Sequence, residues 1–204
     1  MDGIKTGKLD WTGDNPFIYL KTDENQDWSS LTLYFRIASS DYGQGKAILV
    51  LDNPYESDPE NQNRFMLTDN LPLAKYLVSD FVRHFGLFRK AIALDEMRYI
   101  DNVNFTTEND FPKKQVESAY SSTLNLTVEM IWNDLQSAIC VDLPAHLTQT
   151  QQHEMMCVFH PALSAKVKIN GVALDGQTIE RDFNGTRAQS ASLANSETWV
   201  RVTD

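Results

Sequence analysis

The chain has 204 residues, 42% hydrophobic and 23% charged, with a formal net charge of -10. A chain this long buries roughly 70% of its unfolded surface and needs no disulfide or metal to fold. The acidic balance argues against a general nucleic-acid or anionic-membrane binder, because both need clustered Lys and Arg. The N-terminus lacks an apolar signal-peptide core, and no apolar run is long enough to span a bilayer, so the expected location is cytoplasmic.

In chain order, Phe17–Lys21 is a short apolar run. Leu31–Ala38 alternates strictly, with Leu31, Leu33, Phe35 and Ile37 on one face and Thr32, Tyr34 and Arg36 on the other. That period of two marks a half-buried antiparallel strand. Lys46–Asp52 follows after a Gly-containing loop and completes a hairpin. Its loop, Gly43–Lys46, lacks the glycine spacing and the Ser or Thr of a phosphate loop. The segment Asn53–Arg64 is polar, with two prolines, and reads as a surface loop. It offers oxygen ligands but not the glycine and terminal glutamate of a calcium loop.

Thr68–Asn70 supplies helix caps, and Pro72 suits a first turn. A helix is expected from Leu71 to Phe85, with Ala74, Leu77, Val78, Phe81 and Phe85 on one apolar stripe. Arg83, Arg89 and Lys90 then cluster near its end and complement the helix dipole. Beyond it, Ala91–Ile100 is expected as a strand. Asp101–Ser122 is weakly patterned and is the one candidate boundary in an otherwise single domain. Thr123–Trp132 alternates as a strand, and Ser137–Leu143 is another apolar run. In Val167–Leu174, Asn170-Gly171 between apolar residues is a hairpin signal that pairs Ile169 with Val172. Glu197–Val202 closes the chain as a strand. Successive strands with one long amphipathic helix give an α+β, β-rich fold, a curved antiparallel sheet or partial barrel with the helix packed on it.

The stretch from Gln151 to Pro161 gathers His153, Glu154, Cys157 and His160. On a helix, His153, Cys157 and His160 would share a face and could bind a metal. On a strand, His153 and Cys157 stand about 13 Å apart and His160 points away. The strand is favoured, because Ser137–Leu143 and this run resemble the arms of a hairpin and Pro161 disfavours a helical His160. Met155, Cys157 and Phe159 then share one face. No metal or other cofactor is expected, although His146 could bring a second imidazole near His153. Cys140 and Cys157 lie in apolar runs and read as buried, inert thiols. Asn104, Asn125 and Asn184 fall in glycosylation sequons that read as chance matches without a secretory signal.

Three functions remain open. The first is binding of a small apolar or aromatic molecule in a sheet-lined pocket, with Trp132, Trp199 and Tyr34 as candidate lining residues. The second is a metal-independent enzyme using general acid–base chemistry, with His153, Glu154, His160 and Arg83 as candidates. The third is a protein–protein interaction module built on an exposed strand edge. The lining of the largest cavity distinguishes them.

Overall fold

The computed structural model describes residues 6–183 and 185–202; the sequon asparagine Asn184 lies outside the described residues. In chain order the strands are β1 (Lys8–Asp14), β2 (Phe17–Leu20), β3 (Ser30–Ser40), β4 (Gly45–Asp52) and β5 (Arg64–Thr68). Helices α1 (Leu71–Asp80) and α2 (Ala93–Glu96) follow, with two short 3-10 turns between them. Next come β6 (Arg98–Ile100), β7 (Asn104–Asp110), β8 (Lys114–Ser121), β9 (Leu126–Leu135) and β10 (Ile139–Leu143). The chain finishes with β11 (His153–Ile169), β12 (Val172–Ala173), β13 (Glu180–Phe183), β14 (Thr186–Gln189) and β15 (Ala191–Arg201).

All but β13 and β14 join one sheet, whose path runs β6-β5-β4-β3-β1-β15-β11-β9-β8-β7. Every pairing is antiparallel except β5 with β6. β1 and β2 act as one interrupted strand, since both lie between β3 and β15. Asn15 and Pro16 form the break, yet Asn15 N still donates to Ala194 O and Pro16 O accepts from Tyr34 N. β9 and β10 likewise lie end to end along one edge of β11.

The sheet has a core on each face. Leu31, Leu33, Phe35 and Ile37 of β3 pack into the first core with α1, the 3-10 turns and Met155, Cys157 and Phe159. Tyr34 points the other way, into a second core with Ile48, Phe65 and residues of β8, β9 and β11 such as Ala119, Trp132 and Val167. The two halves of the sheet thus face each other across the second core, while the helices cover the first. β11 serves both, its buried positions changing parity between Ala162 and Ala165.

Several expectations need correction. The sheet runs from β6 to β7 and includes one parallel pairing, so it is mixed rather than purely antiparallel. The helix is short: α1 stops at Asp80 instead of Phe85. Asn70 caps it as expected, its Oδ1 accepting from Leu73 N at 3.2 Å. Phe81 leaves helical geometry and packs edge-on between Trp11 and Trp199, at 5.7 and 5.4 Å between ring centroids. A 3-10 turn, Val82–His84, then leads to Phe85, which stacks on Trp199 at 5.9 Å. Ala91–Ile100 is α2 followed by β6, because adjacent Ala93 and Leu94 are both buried, which a strand facing one core does not allow. The segment 101–122 holds the β7–β8 hairpin; β7 is almost wholly exposed, so it has no apolar alternation to read. β3 is buried on both faces rather than one. Leu124 lies outside β9 and is exposed. Cys140 is exposed too, because on β10 it alternates with half-buried Ile139 and Val141. Arg64, read as the end of a surface loop, is buried; it donates to the Asp52 and Asn53 carbonyls and pairs with Glu96.

The strand reading of Gln151–Pro161 is met. β10 pairs with β11 in the expected hairpin, Ile139 opposite Phe159 and Leu143 opposite Met155. Asn170 (φ 49°) and Gly171 (φ 82°) turn the chain so that Ile169 faces Val172. No helix among the described residues is long and apolar enough to cross a membrane.

Candidate functional site

A cavity of about 350 Å³ opens between the first core and the β13–β14 hairpin; a larger hollow of about 740 Å³ beside Arg36, Lys46, Asp69 and Asn70 is shallower and carries no aromatic ring. The walls of the smaller cavity carry the aromatic rings of Phe17, Tyr19, Phe85, Phe88, Phe159 and Trp199, with Leu33, Leu143 and Met155 between them. Polar groups are few: Asn15, Thr148, Gln149, Arg181, Asp182 and Glu197. Phe17 and Tyr19 stack at 4.8 Å, and the Arg181 guanidinium lies over both rings, at 5.7 and 5.5 Å. Apolar walls with a few convergent polar groups are the usual make-up of a small-molecule site.

Glu197 reaches this wall through a β-bulge. Opposite Cys157 of β11, β15 spends two residues, Ser196 and Glu197, between the pairs Met156–Thr198 and Val158–Asn195. Ser196 takes a positive φ of 57°, and its N–H is held by Asp14 Oδ1 at 3.0 Å. Bulges of this kind re-aim a side chain. On the neighbouring strand Glu197 faces Gly13, where a Cβ would lie 2.0 Å from Arg36 O, so only glycine lets β1 and β3 approach so closely.

Glu197 is only 4% exposed. Trp199 Nε1 donates to its Oε1 at 2.6 Å, and Cys157 Sγ lies 3.9 Å from Oε2. Burial pushes the carboxyl up to about 7; the Trp199 and Asn15 side chains pull it down, and the nearby charge of Asp14 pushes it up again. The Cys157 thiol is raised by burial first and by Glu197 and Asp14 next, which leaves it protonated and unreactive.

Behind Trp199 lies a second buried polar group. His153 Nε2 and Asp10 Oδ2 are 2.6 Å apart, and Arg201 Nε and Nη2 donate to the same oxygen at 3.0 and 2.6 Å. On the other side of the ring, Thr150 Oγ1 is 2.9 Å from His153 Nδ1 and 3.3 Å from Thr148 Oγ1. Burial lowers the His153 pKa more than the Asp10 contact raises it. A neutral imidazole then donates from Nε2 to Asp10 and accepts at Nδ1 from Thr150. Hydroxyl, imidazole and carboxylate follow the order of a catalytic triad. Thr150, however, is buried and does not line the cavity. The network ties β1, β11 and β15 to the loop whose Thr148 and Gln149 form part of the cavity wall.

Of the residues singled out from sequence, Trp199 lines the cavity. Trp132 and Tyr34 lie in the second core, where Trp132 Nε1 donates to Phe17 O at 3.1 Å. His153 joins Asp10, whereas His160 projects from the other face of β11, pairing with Gln136 O and the Phe111 ring. Glu154 alternates to the face opposite His153 and is half-buried. Arg83 is exposed and pairs with Asp95. The structure therefore does not bring His153, Glu154, His160 and Arg83 together. Arg83, Arg89 and Lys90 lie on two separate 3-10 turns, and Arg89 is held by the His84 and Gln149 carbonyls. His146 is exposed while His153 is buried. Among the described residues, no three His, Cys, Asp or Glu side chains are grouped so as to hold a metal.

Sequence reasoning missed Glu197, Asn15 and Arg181. One signal was present: Glu197 and Trp199 share parity on a terminal strand, so a buried tryptophan implies a buried glutamate. No family model, curated protein or solved structure matches this chain.

Proposed function

We propose that this protein binds a small apolar or aromatic molecule in the cavity between the first core and the β13–β14 hairpin. The observation that carries the reading is the lining itself, six aromatic rings and five aliphatic side chains around about 350 Å³. That volume suits a small molecule rather than a peptide or a lipid chain. The walls draw on residues from Asn15 to Trp199, which supports treating the chain as one domain. Ligand-observed NMR with a library of small aromatic compounds tests the proposal. Several compounds are expected to bind wild type and to be displaced when Leu143→Trp fills the cavity. If no library member binds at millimolar concentration, or if Leu143→Trp binds as wild type does, the proposal fails.

A second reading, general acid–base catalysis, draws on a different residue from those expected. Its support is Glu197, a carboxyl in the cavity wall whose proton is exchangeable near neutrality. The titratable groups described beside it are the Cys157 thiol, raised by burial, and Asp14, paired with Arg36, so binding is the stronger reading.

A further inference from the structure

Glu197 takes hydrogen bonds from Trp199 Nε1 and from the Asn15 side chain, both neutral donors. Trp199 Nε1 occupies Oε1, while Oε2 has the Cys157 thiol at 3.9 Å, a weak donor at long range. Asn15 lines the same wall and is 6% exposed, and its Oδ1 accepts no hydrogen bond among the described residues. A buried amide oxygen without a donor thus lies beside a buried carboxyl whose hydrogen-bond donors are neutral, a costly arrangement in a protein interior.

We propose that the ligand carries a protonated amine and that Glu197 is the group that recognises it, an inference that rests on the cavity being a small-molecule site. An anion would be repelled at this end by Glu197 and by Asp14 behind it. A hydroxyl offers a single hydrogen and no charge. An ammonium offers three N–H donors and neutralises the carboxylate. The walls suit it as well, because aromatic faces attract cations. The same cavity wall already uses this attraction, holding the Arg181 guanidinium over Phe17 and Tyr19. Arg181 also restricts where a second cation can sit, namely at the Glu197 end, beside Trp199 and Phe85. The rest of the ligand would meet Leu33, Leu143 and Met155. The class is a small arylalkylamine or cycloalkylamine, with its ammonium directed inward.

The test compares 2-phenylethylamine with 2-phenylethanol, similar in shape but neutral, by titration calorimetry on the full chain. The amine is expected to bind at least tenfold more tightly than the alcohol. Glu197→Gln, which keeps an acceptor for Trp199 Nε1, is expected to abolish that preference by weakening amine binding at least tenfold. Should Glu197→Gln fail to fold, Glu197→Asp withdraws the carboxylate and is expected to shrink the preference at least threefold. Equal affinity of the two compounds for wild type, or an amine preference that survives the substitution, overturns the inference and leaves the binding site standing. If neither compound nor any other small aromatic binds, the proposed function falls with it.

Discussion

His153 and Asp10 are 143 positions apart in sequence, yet their side chains meet at 2.6 Å with both residues buried. The contact clasps the first strand to the seventeen-residue β11, and Arg201 of the last strand completes it. Removing one member of a buried pair leaves the others desolvated and unmatched, which costs roughly 3–5 kcal/mol. Asp10→Ala is therefore expected to lower stability by about that amount in urea denaturation. A loss below about 1 kcal/mol would show that the clasp is dispensable.

The same pair sets an acid limit. Burial alone would raise the Asp10 carboxyl, but hydrogen bonds from Arg201 and His153 outweigh it and hold its pKa below the ordinary value. His153 is also depressed, by burial. A depressed folded pKa gives stability that is present above the unfolded value and lost as pH falls through the folded one. For His153 the loss begins just below its ordinary 6.5, and for Asp10 below 3.8. His153→Gln should flatten the upper part of this profile, as read from denaturation midpoints between pH 7 and pH 4.

Glu197 acts in the opposite sense. Its folded pKa is raised from 4.5 to about 7, so the stability it contributes is full below 4.5 and declines as pH rises through 7. Glu197→Gln should be more stable than wild type at pH 8, by roughly 1–3 kcal/mol, with the gap closing below pH 4.5. A gap that does not change with pH would mean that folding leaves the Glu197 pKa at its unfolded value.

Phe81 is fully buried where the helix ends, within 5.7 Å of Trp11, 5.4 Å of Trp199 and 4.9 Å of His153. Phe81→Ala should cost roughly 3–5 kcal/mol in denaturant midpoint analysis. A loss under about 1 kcal/mol would remove this residue from the core.

At Gly171 a Cβ would meet nothing within 4 Å, so the cost of substitution lies in the backbone alone, at φ 82°. Gly171→Val should destabilise by roughly 1–3 kcal/mol and Gly171→Asn by much less. Equal midpoints for the two variants would argue against the turn.

Local patterns were readable wherever neighbours in sequence decide the outcome. The alternation of Leu31, Leu33, Phe35 and Ile37, the Asn70 cap and the Asn170-Gly171 turn all express short-range constraints, and each is present. Features that depend on distant segments were not readable. The burial of Tyr34 needs the second half of the sheet laid over it, and the early end of α1 needs Trp11 and Trp199 waiting for Phe81. The candidate site was half legible. Trp199 was singled out and Glu197, which shares its parity, was overlooked; Asn15 sits at the break between β1 and β2, which shows only once both are paired with β3 and β15.

Because β11 lends Met155, Cys157 and Phe159 to one core and Ala165 and Val167 to the other, the two layers share a spine. Neither can open without fraying the ladder that the other depends on. Amide exchange should therefore slow together on both sides of the molecule when a guest occupies the cavity, far beyond the residues it touches.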